Sequence, residues 1–257
     1  MTDTKRLNLS AIRLKGIAVI AMIIAHTGQL FLSYEQTVLS SINGFINNIT
    51  SPIIFYFLVV GYHKSSNINR YIKRMGLFAL VSYVPYILCR TGQFPNANNY
   101  LDLNVGFTLL LGLCLLHVRH TVKNNYTKYA LTALLFLFSP LGDWGWKALL
   151  TIWVFDHFYD DYPNQAFVYI MMALSSGFLG MLFQPISLWG RAEEMGMVGQ
   201  EFSMYPYLFR ELGHFFAIWL LKFYDGSRGK NSAMAKWGFY ILYPLHLLIL
   251  GLIRYMQ

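Results

Sequence analysis

Histidine 26 closes an apolar run, Gly16-Ile-Ala-Val-Ile-Ala-Met-Ile-Ile-Ala25, that begins directly after Lys15. An imidazole inside a lipid-spanning segment is costly unless it is paired or used. On a helix rising about 1.5 Å per residue, His26 stands about 16 Å above Lys15. In the last apolar run His246 lies ten residues past Lys236, about 15 Å above its own basic anchor. Two histidines from opposite ends of the chain are thus expected at one depth.

Arg210, Glu211 and His214 fall at a similar depth, counted back from Lys222. Arg210 and His214 share a helix face at i, i+4, and Glu211 neighbours His214 at i, i+3. Such groups avoid lipid and are expected to line an interior cavity. One reading is purely structural: Glu211 pairs with Arg210, the histidines bond backbone carbonyls, and the network holds helices together. The other is chemical, since a neutral imidazole keeps one nitrogen free to take a proton as a general base.

The elements that must position these groups are apolar helices. The chain of 257 residues is 56% hydrophobic and 12% charged, about half the charged share of a soluble domain. Nine apolar runs, over roughly 14–34, 45–63, 73–90, 103–118, 129–142, 146–159, 165–186, 205–223 and 236–255, suit a bilayer core of about 30 Å. The expected fold is all-α, a polytopic membrane bundle of about nine transmembrane helices forming a single domain over 1–257. Two short runs flanking the turn-rich Pro140-Leu-Gly-Asp-Trp-Gly145 are read as separate spans.

The net charge of +8 is an orientation signal. With a cytoplasmic N-terminus, 15 of the 20 basic residues lie on the cytoplasmic side, including Arg13, Lys15, Lys64, Arg70, Lys73, Arg74, Arg119, Lys222 and Arg228. Arg90, Lys147, Arg191, Arg210 and Arg254 lie on the other. This asymmetry favours an N-in, C-out arrangement with an odd number of spans, and it removes the reason to expect nucleic acid as a partner. The first apolar run has no small-residue cleavage pattern after it and reads as an uncleaved signal anchor.

Cys89 and Cys114 fall within spans, so neither a disulfide framework nor a cysteine-rich metal site is expected. The longest loop, 187–204, carries Arg191, Glu193, Glu194 and Glu201. It is a candidate acceptor-recognition surface, with a plain solvated connector as the alternative.

Several segments resemble the TraX family, named for the conjugative pilin N-acetyltransferase. They are Ser51-Pro-Ile-Ile-Phe-Tyr-Phe-Leu-Val-Val-Gly61-Tyr62, Tyr71-Ile-Lys-Arg74, Asn104-Val-Gly-Phe107-Thr108-Leu-Leu-Leu-Gly112 and Phe239-Tyr240-Ile-Leu-Tyr243-Pro244-Leu-His246-Leu. The family is in turn similar to the larger transmembrane acyltransferases, whose first span carries a basic residue, ten intervening residues and a histidine. Here those positions are Lys15 and His26, with lysine where arginine is usual, which weakens any expectation of bidentate phosphate binding at that point.

The resemblance implies acetyl transfer from cytosolic acetyl-CoA to an acceptor at the outer face: a peptide or pilin amine, or a glycan hydroxyl. His26 would act as base or as transient acyl carrier. Glu211 would orient an imidazole, and Arg210, His214, Tyr243 or His246 would line the cavity or stabilise the oxyanion. Arg13, Lys15, Lys73 and Arg74 are candidates for the coenzyme phosphates, against a default role as topology anchors. No metal is expected. Two other classes stay open: a transporter or flippase using the buried charges, and a noncatalytic envelope assembly protein.

Overall fold

The computed structural model describes residues 8–32, 38–175, 205–229 and 233–257. Among these residues nine segments are helical. They are α1 (Ala11–Phe31), α2 (Val38–His63), α3 (Ile68–Thr91), α4 (Val105–Thr121), α5 (Asn125–Phe138), α6 (Gly145–His157), α7 (162–175), α8 (Tyr205–Leu221) and α9 (Ala233–Met256). The all-α expectation holds, and the region 129–159 is two helices separated by a 3-10 turn at Ser139–Leu141. The 187–204 loop and its four charged residues lie outside the described residues.

Among the described residues four helices are long and apolar enough to cross a membrane: α1, α2, α3 and the Trp237–Met256 part of α9. They make this a membrane protein. Helices α5 and α6, with 14 and 13 residues, extend only about 20 Å each at the standard rise. Helix α5 buries none of its side chains and sits at the edge of the bundle.

Helix boundaries follow local chemistry. Asn67, Asn104 and Asn124 each cap a helix, accepting a hydrogen bond from the backbone N–H of Arg70, Phe107 and Thr127. Gly92 ends α3 at φ 69°, a left-handed conformation that a side chain would strain. Pro52 lies inside α2. It offers no N–H to the Asn48 carbonyl, which leaves a backbone acceptor outside the helical ladder in that turn.

Helix α2 is the centre of the molecule, packing on α1, α4, α6 and α8. Its buried row Ile49, Ile53, Phe57 and Val60 joins Leu14 and Ala18 of α1 in the main core. Backbones approach closely where glycine allows. A Cβ on Gly213 of α8 would lie 2.2 Å from the Phe45 carbonyl oxygen of α2, and one on Gly251 of α9 would lie 2.8 Å from the Cys89 amide nitrogen of α3.

These contacts order the helix ends. The C-terminal ends of α2, α4 and α6 meet where His63, Arg119, His120 and Asp156 converge. The chain before α1 joins that end, because Leu9 donates to the Phe223 carbonyl after α8 and Asp225 donates back to Leu9. At the opposite end the C-termini of α3 and α9 meet, Arg254 donating to the Cys89 carbonyl at 3.2 Å.

Candidate active site

Helices α1 and α9 bring His26 and His246 together, with His26 Nδ1 and His246 Nε2 2.8 Å apart. The ring planes differ by only 12° with centroids 5.1 Å apart, so the contact runs edge to edge close to both planes. His246 Nδ1 lies 2.8 Å from the Leu242 carbonyl oxygen. A carbonyl only accepts, so Nδ1 of His246 carries the hydrogen and its Nε2 offers a lone pair. His26 Nδ1–H then donates to that lone pair. The chain of bonds fixes the tautomer of both rings and leaves His26 Nε2 with its lone pair unengaged.

His26 lines a cavity of about 760 Å³ between α1, α2, α3, α9 and the turn before α6. Met22, Asn47, Asn48, Ser51, Phe55 and Leu247 share its wall, and Arg90 and Arg254 stand at the end of the bundle that the cavity reaches. Tyr243 lines it too, packed against both imidazoles with ring centroids 6.5 Å from His26 and 5.7 Å from His246. Its hydroxyl is buried near the Val105 backbone but outside hydrogen-bond geometry, and so has no protein partner.

A second polar group completes the wall. Arg90 donates to the Tyr86 hydroxyl at 2.7 Å, and that hydroxyl donates to Asp143 Oδ1 at 3.0 Å. Asp143 is exposed where it opens onto the cavity, while protein atoms crowd its carboxyl on the other sides. Desolvation pushes its carboxyl above the usual range, against the pull of Tyr86 and Arg90.

Glu211 and His214 go elsewhere. Glu211 Oε2 lies 3.7 Å from His214 Nε2, and His214 Nδ1 lies 2.6 Å from the Tyr169 hydroxyl of α7. This group is separate from the His26 pair and absent from the cavity wall. The expectation that one cavity gathers all three histidines is therefore corrected: equal depth placed them on different helix faces, and α8 turns its Glu211 and His214 toward α7. Arg210 packs over Gly44 of α2, and its carbonyl accepts from Asn48 at 3.0 Å. It backs the cavity wall without forming it.

At the basic end, Lys15 Nζ lies 5.2 Å from the centre of the Phe57 ring and Arg74 lies 5.5 Å from that of Tyr71. Arg74 Nε is buried without a hydrogen-bond partner. Arg13 reaches the Asn8 carbonyl at 3.5 Å. Lys73 does not join them. It shares the exposed row of Leu77, Leu80 and Val84, on the side of α3 turned away from the bundle. Sequence reasoning missed Tyr86, Asp143, Asn47 and Asn48, none of which carries a depth signal.

No solved structure matches this chain. A curated relative, the probable fimbrial assembly protein FimC, serogroup H1, of Dichelobacter nodosus, is 26% identical over 254 residues, covering 96% of each chain. The family described as TraX protein matches residues 10–254, from the first turn before α1 to the end of α9. The chain belongs to the TraX family.

Proposed function

We propose that this protein is a membrane-embedded acetyltransferase that moves an acetyl group from cytosolic acetyl-CoA to an amine or hydroxyl acceptor at the outer face of the cytoplasmic membrane. The carrying observation is the hydrogen-bonded series Leu242, His246, His26, which leaves one lone pair on an imidazole that lines the cavity. In this reading each of the nine described helices crosses the membrane and the N-terminus is cytoplasmic. The cavity then opens outward to the acceptor, and Lys15, Arg74 and their aromatic neighbours face the coenzyme from within.

His26 Nε2 takes the proton of the attacking amine or hydroxyl as the new bond forms to the thioester carbonyl. As the C–S bond breaks, the proton held on His26 passes to the sulfur, so the coenzyme leaves as the thiol and the imidazole returns to its neutral form. His246 holds the tautomer that makes His26 a base. The relative's name concerns fimbrial assembly, a setting in which a pilin amine is a natural acceptor.

The test is coenzyme thiol release by the purified protein in detergent, with and without a primary-amine peptide. The expected result is acceptor-dependent release that His26→Ala abolishes. If acetyl-CoA neither binds nor reacts, the transferase reading fails and the cavity is better read as a transporter's substrate site.

A further inference from the structure

A second cluster lies at the other end of the bundle from the cavity. His63 ends α2, His120 stands one residue from the end of α4, and Asp156 one residue from the end of α6. His63 Nε2 lies 2.9 Å and His120 Nε2 2.8 Å from the same oxygen, Asp156 Oδ1. The other carboxylate oxygen accepts from Arg119 Nε at 2.9 Å. Arg119 holds Oδ2, while both imidazoles turn the same ring nitrogen to Oδ1. Two imidazoles aiming the same ring nitrogen at one oxygen make a three-atom face, with all three ligand atoms within 4.8 Å of one another.

From this geometry we propose that His63, His120 and Asp156 bind a divalent transition metal ion, zinc by the nature of the donors. Zinc takes imidazole nitrogen at about 2.0–2.1 Å and carboxylate oxygen at about 2.0–2.2 Å. The three donors reach those distances if the His–Asp contacts open by about half an ångström and the two imidazole nitrogens settle at a similar spacing. Each neutral imidazole then carries its hydrogen at Nδ1 and gives the Nε2 lone pair to the metal. Arg119 holds the second carboxylate oxygen, the kind of support that metal-bound carboxylates have.

The surroundings suit a dication. Asp156 is 1% exposed, while His63 and His120 are 25% and 42% exposed, so the site is built around a buried carboxylate and reached from solvent. The open pocket beside it carries Asp160 and Asp161 and supplies room for a water as fourth ligand. The His63 ring is held against Tyr159, centroids 3.9 Å apart, and Arg119 lies over Trp153 at 4.9 Å. The ion fastens the ends of α2, α4 and α6, three helices that no covalent link joins at that point.

The experiment titrates the full-length protein, its purification tag removed, with Co2+ and then Zn2+. The expected result is one Co2+ per chain with the visible spectrum of a low-coordinate site, displaced by Zn2+, and a zinc-dependent rise in melting temperature. His63→Gln and His120→Gln keep a hydrogen-bond donor toward Asp156 but remove the imidazole. Each should weaken cobalt binding tenfold or more. The wild-type zinc complex, which needs no variant, should show imidazole scattering in its X-ray absorption spectrum. Absence of that scattering, absence of a cobalt spectrum at tenfold metal excess, or wild-type affinity in both glutamine variants overturns the assignment.

Discussion

At the residue scale, the central feature is a pair of imidazoles whose hydrogens are dictated by one backbone carbonyl. His26→Ala removes the free Nε2 and should lower the proposed acetyl transfer by about 10²–10⁴-fold, the usual contribution of a positioned general base. The readout is thiol release at saturating acetyl-CoA. Asp143 gives a prediction with a sign. Its carboxyl is held above its ordinary range in the folded protein, so ionisation costs stability as pH rises through the folded value. Asp143→Asn removes that cost and keeps an acceptor for the Tyr86 hydroxyl. The melting temperature of wild type minus that of Asp143→Asn should therefore be greatest at the most acidic pH and fall as pH rises from the ordinary carboxyl value toward the raised folded one, as differential scanning fluorimetry in detergent would record. The pairing of His26 with His246 was legible in the sequence because both are measured from a basic anchor at the same end. Depth fixes one coordinate only, and the angular position that sends His214 to Tyr169 is set by packing.

Element-scale behaviour turns on where helices touch. At Gly213 the obstacle to a side chain is the α2 backbone at Phe45, whereas at Gly44 it is the Arg210 side chain. Backbone cannot swing away, but a guanidinium can. Gly213→Ala should destabilise the protein by about 1–3 kcal/mol, the cost of overpacking, and Gly44→Ala by much less, in parallel thermal or denaturant titrations. The nine helices of the described residues were legible as apolar runs, with the pair at 129–159 separated correctly by Pro140 and Gly145. The start of α2 at Val38 was not, because Val38–Gly44 is polar enough to read as a loop and is helical through its contact with α1 and α8. The His63, His120 and Asp156 cluster was also missed. Its signal was present: three helices of the same direction, α2, α4 and α6, each end on a metal-binding residue type.

For the whole molecule, helix directions alternate consistently. Helices α2, α4, α6 and α8 run one way, and the partners α3 and α9 the other, with Phe78 against Phe239 at one end and Cys89 against Arg254 at the other. If each helix crosses the membrane, reporters fused after Lys64, Val122, Tyr159 and Asp225 should all be cytoplasmic, and those after Gln93, Gly142 and Gln257 all external. An alkaline phosphatase and fluorescent-protein fusion series reads this directly, and a single reversed pair would break the nine-span arrangement.

The meeting of His26 with His246 spans 220 positions of sequence. During synthesis α1 enters the bilayer long before α9 is made, so the His26 imidazole must wait until α9 leaves the ribosome to meet His246. Chains that stop short of Ala233 lack the helix that fixes the proton on His26. Insertion of α9 is thus a natural checkpoint of biogenesis.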